Sequence, residues 1–233
     1  MKKTSMILML CVLSGCAELQ QVAGQYGLEV SQTEMAAGLR EALKNGVEKQ
    51  VTRLTEKDGF FRNEAVKILL PEELQKVDSA LRKTGLASLA DEGSKVLNRA
   101  AEDAVGEAIP VFQESVRQMT FTDAKNILFG NEDAATQYLQ RTGSTALYTR
   151  FNPIVKSSLS KVGADQVWRN IITKYNALPL TTDVNPDLTD YVTRKAMDGV
   201  FVMVAREEKN IRTTVSARSS AVLQRVFALQ DKR

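Results

Sequence analysis

DLTDYVTRKAMDGVFVMVAREEKNIR, residues 187 to 212, is the stretch whose reading decides the fold. Asp187 and Asp190 both stand where a side-chain oxygen can accept from the unpaired N–H groups of a first helical turn. From Val200 to Ala205 the chain is apolar on every side, so the element that forms there is buried most of the way round. Its β-branched and aromatic residues, Val200, Phe201, Val202 and Val204, suit a buried strand as well as a helix. The caps and the length of the segment favour one long helix over a strand. With that stretch helical, the expectation for the whole chain is an all-α fold.

Working outward, Ser216 to Gln230 reads as an amphipathic helix on Val222, Val226 and Leu229. Upstream, Asp165 caps a helix whose apolar face is Val167, Trp168, Ile171, Ile172 and Tyr175, closed by Pro179. Ser144 caps another to about Val162, disturbed by Pro153 and stopped by Gly163. Thr122-Asp123 and Asn131-Glu132-Asp133 open two short helices, with Gly130 and Gly143 just past their ends. The acids Asp123, Glu132 and Asp133 are read as first-turn residues facing a helix dipole and not as metal ligands. A helix from Leu86 to about Glu107 uses Leu89, Leu97, Ala101 and Ala104 and carries Gly93 inside it; Pro110 then breaks the pattern, and Val111 to Met119 resumes it. Pro71 is placed as a first helical residue, with Glu72 and Glu73 near the positive end, Leu74, Val77 and Leu81 on the buried edge, and Gly85 as the stop.

The first helix of the series starts at Ser31, which forms a capping-box pattern with Glu34. Met35, Leu39, Leu43, Val47, Val51 and Leu54 draw one apolar stripe until Gly59, and Arg40, Glu41, Lys44, Glu48 and Lys49 make the solvated face. Phe60 and Phe61 are expected to fold back on the last turn and not to stand out as a partner-binding wedge. Val66 to Leu70 is a short apolar run, extended or a single turn. No Gly/Ser-rich linker follows Val30 and no period repeats, so residues 31–233 read as a single multi-helix domain.

Ahead of that domain, Met1 to Ala17 reads MKKTSMILMLCVLSGCA. Lys2 and Lys3 form a basic start, Met6 to Leu13 an apolar run well short of the roughly 20 residues a membrane-spanning helix needs. Leu13-Ser14-Gly15-Cys16 resembles the lipobox of bacterial lipoproteins. The resemblance implies cleavage before Cys16, a diacylglycerol on its sulfur and a fatty acyl chain such as palmitate on its new amine. Residues 1–15 are then the lipoprotein signal peptide and 16–30 the lipidated cysteine and a flexible, polar tether of about 20 Å. Two or three acyl chains hold a protein firmly to a membrane it does not span. Ala17 after the cysteine, in place of Asp, resembles an outer-membrane address with the domain facing the periplasm.

Composition narrows the chemistry further. The 31 basic side chains fall to 29 once Lys2 and Lys3 leave, against 28 acidic, and so near a balance gives a nucleic-acid partner no support. There is no histidine, and the two cysteines are Cys11 in the signal and Cys16 at the anchor. That excludes Ser-His-Asp and Cys-His nucleophilic systems, the usual His/Cys zinc sites, and a disulfide in the working domain. Asp183, Asn185, Asp187 and Thr189 alternate like calcium-loop ligands, but the glycine and glutamate that such a loop needs are here Leu188 and Arg194. Ser158 and Lys161 fit S-x-x-K and Lys83-Thr84-Gly85 spells K-T-G, in the reverse of the order used by penicillin-recognising enzymes and without their third element. No catalytic, cofactor-binding or metal residue is assigned. Arg206, Glu207, Glu208, Lys209 and Arg212, the densest charge cluster beside the buried segment, are the candidate ligand or partner patch, with a solvated helix end as the plainer reading.

Three stretches together, Lys57-Asp58-Gly59-Phe60-Phe61, MTFTDAKNILFGNEDAATQYL from Met119 to Leu139, and YVTRKAMDGVFVMVAREEKNIR from Tyr191 to Arg212, resemble the bacterial domain of unknown function 4197. The resemblance runs from about Met35 to Phe227. It implies an exported, mostly helical bacterial protein, often a lipoprotein, and carries over no activity and no catalytic residue. The functional expectation is a membrane-anchored envelope lipoprotein whose helical domain binds an envelope protein or a ligand without catalysis. A carrier of a small apolar ligand in a helical cavity, or an enzyme relying on carboxylates or Lys, are the alternatives.

Overall fold

Helix α1, Gln32–Thr55, is the spine on which much of the rest is laid. Ser31 caps it, its Oγ accepting from Glu34 N at 3.1 Å, and Met35, Leu39, Leu43, Val47, Val51 and Leu54 are all buried as one stripe. The computed structural model describes residues 30–72, 74–75, 83, 87–177, 185 and 187–231. After α1 come α2 (Ala87–Ala104), a 3-10 turn (Val105–Glu107), α3 (Ala108–Gln118), α4 (Phe121–Leu128), α5 (Ala134–Lys161), α6 (Ala164–Asn176), α7 (Leu188–Thr213), a second 3-10 turn (Val215–Ala217) and α8 (Ala221–Asp231). Among the described residues no strand occurs, and the domain is all-α.

Helix α7 settles the choice the sequence left open. Asp187 is its N-cap, accepting from Asp190 N at 3.1 Å. Val192, Thr193, Ala196 and Val200 are completely buried, and Phe201, Met203, Val204 and Ile211 nearly so. Val202 faces outward at 39 % exposure, so the apolar run is not covered all round. Each fully buried Val, Leu or Phe contributes about 1.5–3 kcal/mol. α5 and α7 lie along each other as the central pair, with α2 against both, while α1 packs on α7, α3, α4 and α8.

The largest correction concerns α5. Gly143 and Ser144 do not separate two helices; they lie inside one of 28 residues. A Cβ at Gly143 would come within 3.2 Å of the Phe112 ring, so this glycine makes room for a neighbour instead of ending a helix. Ser144 Oγ donates to Gln140 O at 2.6 Å, back-bonding as a mid-helix serine does. Pro153 is accommodated within the helix, which ends at Lys161 with Gly163 in the left-handed region at φ 70°. α4 starts two residues earlier than expected: Thr120 is its N-cap and forms a full capping box with Asp123. α2 runs unbroken through Gly93, and Pro110 falls in the first turn of α3, where a missing N–H costs little. Asp165 is the second residue of α6 and accepts from Ser160 Oγ at 2.9 Å; Trp168 is buried, but Val167 is exposed. The C-terminal helix begins at Ala221, and its buried residues are Leu223, Val226 and Phe227.

Two connections depend on side chains. After α1 the left-handed residue is Asp58, at φ 72°, and not Gly59. Gly59 is required for a different reason: a Cβ there would lie 2.4 Å from Arg53 O and 2.7 Å from Leu54 O. The turn is tied down by buried Glu102, whose Oε1 accepts from Phe60 N at 3.0 Å and Phe61 N at 3.3 Å, and Phe60 itself is fully buried against Gly199 of α7. The run Val66 to Leu70 is irregular. Ile68 exchanges a pair of hydrogen bonds with the buried amide of Asn98, N to Oδ1 and Nδ2 to O, both 2.8 Å, as it would with a neighbouring strand. Most of the helix expected from Pro71 to Gly85, and the tether before Val30, lie outside the described residues.

Candidate functional site

The last three turns of α7 carry the charge cluster, and helix periodicity divides it. Glu207, Glu208 and Arg212 turn inward and are 8 %, 8 % and 4 % exposed, while Arg206 and Lys209 remain at the surface. The cluster is thus neither a continuous outer patch nor a solvated helix end. Lys209 pairs with Glu132 at 3.0 Å.

Each inward charge is committed to the fold. Glu207 accepts from Lys49 Nζ at 2.6 Å and Gln50 Nε2 at 2.7 Å, fastening α7 to α1. Glu208 accepts from the backbone N–H groups of Ala135 and Thr136 and from Thr136 Oγ1, each at 2.8 Å. These are the orphan donors of the first turn of α5, whose own N-cap, Asp133, makes no capping bond. Arg212 pairs with Glu208 at 2.7 Å and donates to Ile127 O at 2.7 Å and Leu128 O at 3.2 Å, the closing carbonyls of α4. A carboxylate thus caps the positive end of α5 and a guanidinium the negative end of α4, the arrangement that helix dipoles favour. Arg212 also donates to Gln230 Oε1 of α8 at 3.1 Å.

Arg218, buried to 3 % and unassigned on the sequence, repeats the device. It donates to Ile211 O at 3.1 Å and Arg212 O at 3.0 Å, and grips the Asp231 carboxylate at 2.6 and 2.8 Å. Those hydrogen bonds hold the Asp231 carboxyl below its usual range. Only the polar residue Gln50, interrupting the apolar stripe of α1, signalled in the sequence that a buried partner was needed. Its Oε1 is buried without a protein partner.

A second polar cluster joins α5 to the start of α7. Tyr148 Oη donates to Asp190 Oδ1 at 2.7 Å, and Arg194 Nε approaches both Asp190 oxygens at 3.0 Å while its guanidinium lies over the Tyr148 ring. Arg194, and behind it Tyr148, hold the Asp190 carboxyl below its usual range; the bond to Asp190 raises the Tyr148 phenol. Of the calcium-like spacing, the described members are Asn185, Asp187 and Thr189: the first two are used as a turn and a cap, Asn185 Oδ1 accepting from Asp187 N at 2.9 Å, and Thr189 is buried in the first turn of α7. Ser158 Oγ donates to Asp103 at 2.6 Å and does not face Lys161 as a serine-lysine pair would. Asp123 serves the Thr120 capping box and Asp133 accepts from Gln137 at 2.9 Å.

Between Leu39, Leu43 and Gly46 of α1, Val204 and Ile211 of α7 and Phe227 of α8 lies an apolar hollow of about 30 Å³. It has space for about two waters, whereas a ligand pocket runs to roughly 300–1,000 Å³. The hollow is a packing gap, an order of magnitude short of what a carrier of an apolar molecule requires. Cys16 lies outside the described residues. No helix among the described residues is long and apolar enough to cross a membrane.

Comparisons with curated proteins and with solved structures return no match. A family model described as a protein of unknown function, DUF4197, matches residues 29–228, and over that span, most of its length, the chain belongs to the DUF4197 family.

Proposed function

We propose that the protein is a lipid-anchored lipoprotein of the bacterial cell envelope, held at the outer membrane with its helical domain in the periplasm, and that the domain binds another envelope component without catalysis. The observation that carries the anchor is Leu13-Ser14-Gly15-Cys16 following a basic start and an apolar run too short to span. Support for a binding role comes from how the buried charges are used. Glu102, Glu207, Glu208, Arg212 and Arg218 spend their hydrogen bonds on backbone groups and on side chains of neighbouring elements, which builds a rigid body and leaves few of them to meet a substrate.

The test of the anchor is metabolic labelling with an alkyne fatty acid, followed by membrane fractionation. The native chain is expected to take the label and sediment with outer membrane, and Cys16→Ser to lose both properties. Equal labelling of the two chains, or a soluble native chain, overturns the anchor. For the binding role, crosslinking in intact cells is expected to give the same discrete adducts from the native chain in repeated preparations; none in repeated preparations counts against it.

A further inference from the structure

We propose that α8 is a releasable strap, opening as a unit ahead of the rest of the domain and uncovering the N-terminal half of α1. This goes beyond the anchor and does not depend on it. α8 packs chiefly on one helix, α1, through three buried side chains, Leu223, Val226 and Phe227, whereas α7 buries a dozen or more along its length. The fit has one tight point and one loose one. Val226 and Val222 press into a notch at Gly38, where an added Cβ would lie 2.8 and 3.0 Å from them, but Phe227 borders the unfilled hollow over Leu39 and Leu43.

Besides the bond from buried Arg212 to Gln230, two ion pairs tie α8, and both are of a kind that water can compete for. Arg225 pairs with Glu34 of α1, both side chains about one-third exposed, and Arg218 grips Asp231, whose carboxylate is 42 % exposed. The connector from α7 is mostly exposed at Thr214, Val215, Ser216 and Ser219 and includes a single 3-10 turn. Segments with few buried contacts and solvated ties open at a lower free energy than the core. Arg218 is the catch: it holds the last carbonyls of α7 with one edge and Asp231 with the other, so breaking the Asp231 grip leaves the far end of α8 held by the single Arg212–Gln230 bond at 3.1 Å while α7 stays capped. Opening uncovers two apolar faces that cover each other in the closed state, that of α8 and that of α1 around Gly38 and Leu39.

The test uses the full chain with Cys11 and Cys16 replaced by Ser, so that one engineered thiol is the sole reactive group. Val226→Cys places it on α8, Ala42→Cys on the α1 side of the same interface beside the hollow, and Val155→Cys in the core of α5, where the native residue is completely buried. Under native conditions the Val226→Cys and Ala42→Cys thiols are expected to be labelled at least about tenfold faster than the Val155→Cys thiol, reflecting sub-global opening. Adding Asp231→Asn should speed the first two further, and because the first two start from a lower opening free energy they should stay well ahead of the third. The two sides of the interface report independently, so a failure of either variant to fold still leaves a readout. A common labelling rate at all three positions, or no acceleration of the first two by Asp231→Asn, overturns the strap.

Discussion

Single residues show where the sequence signal was ambiguous, and glycine is the clearest case. Gly93, Gly143 and Gly199 all sit inside helices, yet for different reasons. An added Cβ at Gly93 meets nothing within 4 Å, while at Gly199 it would lie 2.5 Å from the Phe60 ring. Gly93→Ala should therefore stabilise the protein by about 0.5–1 kcal/mol, the ordinary helix-propensity gain. Gly199→Ala should destabilise it by about 1–3 kcal/mol through overpacking. Thermal or urea unfolding of the two variants checks both signs, and a loss of stability at Gly93 would contradict the open position assigned to it. A glycine letter carries no record of the ring that needs its space, which is why Gly143 read as a helix end. Phe60 was legible, because a hydrophobic residue just past a helix end has few places to go other than back onto the core.

At the scale of elements, α1 was readable because one apolar face repeats along nearly its whole length, and α7 because of its length and caps; the Ser31 and Asp187 caps lie where the sequence places them. The junction of α4 and α5 was not readable, since its caps come from far along the chain: Glu208 and Arg212 sit more than 70 residues from the backbone groups they satisfy. An isolated buried ion pair can often be replaced by apolar residues of similar size at little cost. Here the double substitution Glu208→Met with Arg212→Met should not be neutral. It would leave Ala135 N, Thr136 N, Ile127 O and Leu128 O without partners, at about 1–3 kcal/mol for each buried orphan that water cannot reach. The expected result is a double variant destabilised by at least about 3 kcal/mol, against the single Glu208→Met at about 3–5 kcal/mol. Recovery of full stability in the double variant would show that the pair serves only itself.

For the whole molecule, what composition omits shapes the response to pH. The chain has no histidine, and both cysteines precede the domain, so no side chain of the domain has an ordinary pKa between pH 5 and 8. The shifted groups lie outside that window. Asp123 is held low by its Thr120 bonds, Asp190 by Arg194, and Asp231 by Arg218, while Tyr148 is raised further above neutrality. For each of these aspartates the folded pKa is below the unfolded one, so the unfolded chain binds more protons as the solution turns acid. Their contribution is complete above the unfolded value of about 3.9 and is lost as pH falls through the folded values. The melting temperature should accordingly be level from about pH 5 to 8 and fall steeply below about pH 4. Asp190→Asn and Asp231→Asn should each lower the plateau and flatten the acid limb, because the variant side chain has no proton to gain. A slope between pH 5.5 and 8 would contradict this account, since no side chain of the domain has its ordinary pKa there.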